Sequence, residues 1–503
     1  MNWYLTVDIG TGGVHTAAVG ENLSVSCIEY EKLEYSSPDV INGREIDTDA
    51  LFSIIMRLCA KVAEGRKSAQ GECLGIVITG QRHGAVFIDE KGETLLACPN
   101  IDGRALEASK TAGRDYGRKV YAITSRWPAP YFPAMRSLWM KERRPELHAR
   151  FRHLLMLNEW LGWKLTGIMA SEPTNATETL VFNIAEMKWS EELKELFGMG
   201  KVVLNPLVAS GSAIGQLSER QAQALGLPAS APVILAPSDT QSAAIGCGAL
   251  SSGDIIVVNG STTPIVQVID GFITDSSRRM WITPYIDGKW LIEANANKSG
   301  IMYRFLVDSC AGFVSNIMRS MGLEADSNAL KTAIRSMDDQ ETNAIGYWSP
   351  RISDVSNPQM NGCALLAPLD ENPYAAILSS YAENLAFAVQ GNIELTTSLS
   401  GLKADKIWLT GGGCGNEKFC SLVATLSGQA KVMKTLITET TMRGAVAATM
   451  GKTGTDIAKL TDTFLEEVDI IAAYDNKIRT AQRYRLWREG YDGILEFHDR
   501  RNP

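Results

Sequence analysis

Short apolar runs rich in β-branched residues punctuate the chain: LGIVIT (74–79), APVILA (231–236), IIVV (255–258) and KIWLT (406–410). Their length and composition predict buried strands. Between them lie longer stretches with apolar residues three or four apart, such as DALFSIIMRLCAKVAEG (49–65) and NEWLGWKLTG (158–167), which predict helices. This alternation points to an α/β architecture.

One pattern occurs twice. TVDIGTGGVHTAAV (6–19) reads as strand, glycine-rich turn and second strand, and IIVVNGSTTPIVQV (255–268) repeats it, with Gly260 lying 250 positions after Gly10. An offset of half the chain predicts two related domains that each begin with the same hairpin. A third small-residue cluster, LTGGGCGNEKF (409–419), follows a strand but leads into the helical pattern EKFCSLVATLSG.

Taken alone, Gly10, Gly12 and Gly13 are explained by a plain turn that exploits φ > 0. A dinucleotide fingerprint does not fit, because GTGG is followed by a strand, and no GxxxxGK[ST] occurs. What favours a phosphate site is the conjunction of two hairpins whose amides and hydroxyls can hold phosphate oxygens. Asp8 ends the first strand, where it can serve magnesium through water. Asp239, the lone acid of APSDTQSAAIGCG, is a candidate general base. Gly411, Gly412 and Gly413 would let the backbone approach an adenine or ribose closely.

The 503 residues are enough for more than one core. A hydrophobic content of 45%, a charged content of 21% and a net charge of -8 describe an ordinary globular chain that repels nucleic acid. No apolar run approaches the roughly 20 residues of a membrane span. The cysteines form no CxxC pair and the five histidines show no metal-ligand spacing. With no basic and apolar leader pattern at the N-terminus, a cytoplasmic location is expected.

In order along the chain, DIGTGGVH, GIVITGQRHGAVFIDEKG, NIDGRA, NEWLGWKLTG, SDTQSAAIGCG, NGSTT and LTGGGCGNEKFCSLVATLSGQ resemble the FGGY family of carbohydrate kinases, in the actin-like ATPase superfamily. GQRHG is similar to the GQMHG of xylulokinases and sedoheptulose kinases, and ACPNIDGRA to a stretch of autoinducer-2 kinases. The resemblance implies two actin-like, ribonuclease H-like α/β domains, 1–243 and 244–503, with sugar and ATP meeting in an interdomain cleft. It implies ATP and Mg2+ as cofactors and a small sugar as partner, with no nucleic acid or membrane, and it leaves a homodimer open. Asp239 matches the catalytic base, and Arg82, His83, Asp102 and Arg104 match the sugar-contacting region. Gly10, Thr11, Gly12 and Gly13 match the first phosphate hairpin and Gly260, Ser261, Thr262 and Thr263 the second; Gly411, Gly412, Gly413 and Asn416 match the adenosine loop, and Asp8 the metal position. The competing structural roles are a helix N-cap for Asp239, a satisfied core histidine for His83 and a surface ion pair for Asp102 and Arg104.

Four departures bear on rate and substrate choice. His15 stands where most members carry Lys or Arg, so a permanent cation is missing unless a partner raises its pKa. Pro237 and Ser238 replace the usual Gly-Gly before the base, Arg82 replaces a methionine, and the second-domain signature is eroded in YWSPRISDVSNPQMNG (347–362). The expected activity is phosphorylation of a ketose of xylulose type, with autoinducer-2 or another sugar-like polyol as the alternative. A sugar- or nucleotide-binding regulator of weakened catalysis is the alternative from another class.

Overall fold

The computed structural model describes residues 1–67, 71–356, 363–368, 372–428, 430–435, 439–462 and 477–501, so the end of YWSPRISDVSNPQMNG falls outside the described residues. All four predicted strands form, as Cys73–Gly80, Pro232–Leu235, Ile255–Val258 and Lys406–Thr410. The first predicted helix spans Thr48–Arg66, and the carboxylate of Asp47 caps it by accepting from the Asp49 and Ala50 amides. It buries Leu51, Ile55, Leu58, Cys59 and Val62, one face of a 3.6-residue period. Each buried Leu, Ile or Val contributes roughly 1.5–3 kcal/mol. The second predicted helix, Leu157–Thr166, ends on Gly167 with φ 79°, a left-handed cap that glycine adopts without strain.

The chain forms two compact units: Met1–Leu250 with Asp270–Leu291 and Ile437–Leu465, and Ser251–Ile269 with Ile292–Leu436 and Glu466–Pro503. In the first, a six-stranded sheet runs in the order Ser212–Gln216, Pro232–Leu235, Cys73–Gly80, Trp3–Ile9, Gly13–Gly20, Val25–Lys32. Its central strand, Trp3–Ile9, is parallel to Cys73–Gly80 and antiparallel to Gly13–Gly20. Leu5, Val7, Ile9, Ile76, Ile78 and Val233 are buried with Ile55, Leu58 and Trp160 in one core.

In the second unit the strands Lys431–Lys434, Lys406–Thr410, Ile255–Val258, Thr262–Ile269 and Trp290–Lys298 follow the same order. Ile255–Val258 is again parallel to one neighbour and antiparallel to its hairpin mate. The echo seen in the sequence is therefore a repeated sheet topology, with the two hairpins in equivalent places. Among the described residues no helix is long and apolar enough to cross a membrane.

Helix Thr440–Lys452 belongs to the first unit although it comes near the end of the chain. It lies against helix Asp239–Gly246 at backbone distance: a Cβ on Gly444 would collide with the Ser242 carbonyl, and one on Gly246 with the Thr440 carbonyl. Only glycine permits that approach.

Glu159, fully buried near the start of its helix, accepts from the Met156 amide at 3.0 Å and the Glu172 amide at 3.3 Å. Burial nevertheless pushes its carboxyl up to about 8, with the neighbouring Glu172 adding to the effect. The folded state thus holds a proton that the unfolded chain releases at lower pH, so this contribution to stability is full at acidic pH and fades as pH climbs toward 8. The calorimetric unfolding midpoint should fall between about pH 6 and pH 8, and Glu159→Gln should flatten that fall.

Candidate active site

The first hairpin turn closes through the Gly10 amide donating to the Gly13 carbonyl at 2.9 Å. Its carbonyls are all engaged. Gln81 Nε2 donates to Gly10 O at 3.2 Å, Tyr35 OH to Thr11 O at 2.6 Å and Tyr30 OH to Gly12 O at 3.2 Å. The amides of Thr11 and Gly12 donate to nothing among the described residues. Acceptors turned inward and donors left over are the polarity an anion needs. None of the three glycines has positive φ, so the turn does not require them as φ > 0 residues. Gly13 is required for packing, because a Cβ there would strike the Glu31 carbonyl and the Tyr30 ring, whereas a Cβ on Gly12 would meet only open space.

Asp8 and His15 face each other across the hairpin register. Asp8 Oδ1 is buried and has no hydrogen-bond partner among the described residues. Burial, then the nearby Asp239 carboxylate, push the Asp8 carboxyl up to about 7. A buried orphan oxygen repelled by a second carboxylate is a place where a cation lowers the energy, so these residues fit a magnesium ion. Among the described residues no group of three or more His, Cys, Asp or Glu is placed to hold a metal ion directly, and magnesium, which keeps most of its waters, does not need one. His15 Nδ1 lies 3.5 Å from Glu439 Oε1, and the imidazole ring sits 4.6 Å from the Tyr30 ring. Glu439 draws the His15 pKa upward against the cost of burial. The partner that the sequence did not reveal is thus present, carried in by the helix that follows it.

Asp239 is the first residue of its helix and Ser238 is the N-cap, so the capping role is not its own. Asp239 Oδ1 accepts from the Thr240 amide at 2.6 Å and lies 3.7 Å from Arg82 Nε; its side chain keeps a relative exposure of 34%. Arg82 also stands 3.9 Å from Glu178 Oε1 and 5.5 Å from the Trp281 ring centroid. His83 adopts φ 67°, uncommon outside glycine, which turns its ring onto Glu178 with Nε2 2.7 Å from Oε2. Burial lowers its pKa, against the pull of Glu178 in the other direction. Burial alone would raise the Glu178 carboxyl, but Arg126, His83 and Arg82 hold it well below the carboxylate range. Arg126 Nη2 contacts it at 2.8 Å.

Asp102 and Arg104 form a buried pair, not a surface one. Asp102 accepts from Arg104 Nε at 2.8 Å, the Arg44 amide at 2.8 Å and Arg136 Nε at 3.1 Å. Arg136 in turn donates to the carbonyl of His83 at 2.6 Å, so this pair anchors the backbone that presents His83.

In the second unit, the carbonyls of the matching hairpin are also engaged. Gly260 O accepts from the Gly300 amide at 3.1 Å and Ser261 O from the Ser299 amide at 3.2 Å. Ser261 and Thr262 are exposed, while Thr263 is buried and donates to Ser299 Oγ at 2.6 Å. The glycine loop lies beside this hairpin: the Gly413 amide donates to Asn259 O at 2.9 Å, and a Cβ on Gly411 or Gly413 would collide with Asn259. Gly412 faces open space. Asn416 caps helix Glu417–Leu426, accepting from the Phe419 amide at 2.8 Å and donating to Asp338 Oδ2 at 2.9 Å.

Four participants escaped the sequence reading: Glu178, Arg126, Trp281 and Glu439. The run SRWPAPYFPAMRSLWMK (125–141) supplies Arg126, Tyr131, Phe132 and Arg136, and the Tyr131 and Phe132 rings sit 4.6 Å and 4.9 Å from His83. Two arginines, Arg126 and Arg136, in a largely apolar 17-residue run were the available signal.

Family models for the FGGY family of carbohydrate kinases match the chain, the N-terminal domain over residues 3–246 and the C-terminal domain over 261–451. The chain is 30% identical to a putative sugar kinase, YoaC, of Bacillus subtilis, over 97% of this chain and 96% of that protein. It is 24% identical to an autoinducer-2 kinase of Salmonella typhimurium, over 90% and 86% respectively. The fold is that of a xylulose kinase from Lactobacillus acidophilus, with TM-score 0.85 at 15% identity over 98% of this chain and 99% of the other.

The glycines divide into packing and open positions, which stability measurements separate. Gly13→Ala and Gly413→Ala should each cost roughly 1–3 kcal/mol in denaturant unfolding. Gly12→Ala and Gly412→Ala should stay within about 0.5 kcal/mol of the parent.

Proposed function

The chain belongs to the FGGY family of carbohydrate kinases, phosphotransferases that act on a sugar, and on that premise we propose that it transfers the γ-phosphoryl group of ATP to a hydroxyl of a small ketose of xylulose type. The observation that carries the reading is the paired carboxylates of the first unit, Asp8 buried and Asp239 partly exposed. Their unequal surroundings suit unequal tasks. Asp239, open to a ligand, is the base that accepts the hydroxyl proton as the oxygen attacks phosphorus. Asp8, closed off, is the residue to hold Mg2+ through water. When bound, that ion neutralises phosphate charge.

His15, drawn toward its charged form by Glu439, supplies the cation on the strand that leaves the first phosphate hairpin. The unused amides of Thr11 and Gly12 face phosphate, and Gly260 to Thr263 with Gly411 to Gly413 and Asn416 serve the nucleotide. Arg82 and His83 contact the sugar, and Asp102 and Arg104 hold them in place. Trp281 belongs with them: its buried Nε1 has no partner among the described residues, which leaves a donor for a sugar hydroxyl beside an aromatic face. Autoinducer-2 is the second candidate substrate, favoured by the relative of that activity. A kinase drawing on ATP works in the cytoplasm.

A coupled assay of ATP consumption across ketoses, polyols and autoinducer-2 identifies the acceptor; a folded protein that turns over none of them overturns the reading. With the acceptor known, Asp239→Asn should lower kcat by about 10²–10⁴ while substrate and nucleotide binding persist in calorimetry. Unchanged turnover would remove Asp239 as the base. A proton on Asp8 competes with the metal because its carboxyl titrates at about 7. The Mg2+ concentration for half-maximal activity should therefore rise as pH falls below about 7 and level off above it, which a metal titration at several pH values measures.

A further inference from the structure

Asp239 is placed by the two residues before it, and both are tied to other segments of the first unit. The Pro237 carbonyl accepts from Thr79 Oγ1 at 2.7 Å and from Ser242 Oγ at 2.8 Å, and the Ser238 carbonyl accepts from the Ser242 amide at 2.9 Å. The Ser238 amide, the last backbone donor ahead of Asp239, reaches back 64 positions and donates to Thr174 Oγ1 at 2.8 Å. Since proline supplies no N–H, every backbone polar group of Pro237 and Ser238 is engaged.

The hydrogen bonds behind Thr174 run in one direction. Glu172 Oε2 accepts from the Asn175 amide at 3.1 Å and from Asn175 Nδ2 at 3.2 Å, so this oxygen is an acceptor. Thr174 Oγ1 meets it at 2.6 Å and donates its single proton there, which leaves its lone pairs for the Ser238 amide. The other oxygen, Oε1, accepts from Ser210 Oγ. Glu172, Thr174 and Ser238 are all buried, where a lost partner is costly and the network has a single arrangement. Six residues after Glu172 the chain reaches Glu178, which holds the His83 ring and stands near Arg82. One short segment thus meets both the loop that carries Asp239 and the residues assigned to the sugar.

We propose that Thr174, oriented by Glu172, is a positioning residue for Asp239: through the Ser238 amide it sets where the carboxylate stands relative to the acceptor hydroxyl. The proposal rests on the reading of Asp239 as the base. Thr174 acts through the backbone and needs no contact with substrate. Proton transfer demands close placement of base and hydroxyl, and a displacement of about 1 Å can cost on the order of 10²-fold in rate.

Steady-state kinetics on a mutant cycle with Asp239→Asn tests it, using xylulose or the ketose or polyol that the acceptor screen ranks first. Thr174→Val, of the same shape without the hydroxyl, should lower kcat by about 10- to 100-fold while KM for ATP and acceptor stays within about twofold. Thr174→Ser, which restores the hydroxyl, should stay close to the parent. Placed on Asp239→Asn, Thr174→Val should lower the residual rate by less than about twofold, because a base that is gone cannot be misplaced. Should Thr174→Val not fold, Thr174→Cys, which keeps a weak donor and acceptor, takes its place and should show a smaller loss with the same dependence on Asp239. Parental kcat in the folded variant, an equal loss on both backgrounds, or a Thr174→Ser as impaired as Thr174→Val overturns the proposal. Parental turnover in Asp239→Asn would instead remove Asp239 as the base, and the proposal with it.

Discussion

Asp8 carries a carboxylate on the central strand of an apolar sheet, and one of its oxygens has no partner among the described residues. A charge in that position is expensive unless positive charge is brought to it. Much of the first unit is arranged around that requirement. His15 stands opposite on the neighbouring strand, Glu439 keeps its imidazole basic, and Arg82 approaches Asp239, the second acid of the cluster.

Both hairpins use the same means to become donors. Each turn has its carbonyls claimed by neighbouring groups, Gln81, Tyr35 and Tyr30 in one and the start of helix Gly300–Ser320 in the other. In the first turn the Thr11 and Gly12 amides then remain as unused polar groups among the described residues. Because a backbone group is costly to leave unpaired, such a turn is poised for an anion. Repetition of the sheet order explains why the same solution appears twice.

The backbone and ring of His83 are held by a chain of buried ions. Asp102 fixes Arg136, Arg136 fixes the His83 carbonyl, and Glu178 fixes the His83 ring from the other end. Removing one member would leave another charge buried and unpaired, which costs far more than the pair itself contributes. That explains why a histidine with left-handed backbone can persist there: its surroundings over-determine it.

Local pattern alone determined the strands, the two helices, the doubled hairpin and the positions of Asp8 and Asp239, since each depends on residues within a few positions of one another. Tertiary structure decided which glycines matter and why. Gly13 and Gly413 are needed for close packing against Glu31 and Asn259, and the left-handed φ expected of the first hairpin is absent. It also decided the partner of His15, because Glu439 lies 424 positions away and reaches it only where Gly444 and Gly246 let two helices touch. Glu178 and Arg126 were hidden for the same reason. A buried ion pair is a relation between distant segments, and no periodicity in the chain encodes which charge will meet which once the sheet has closed over them.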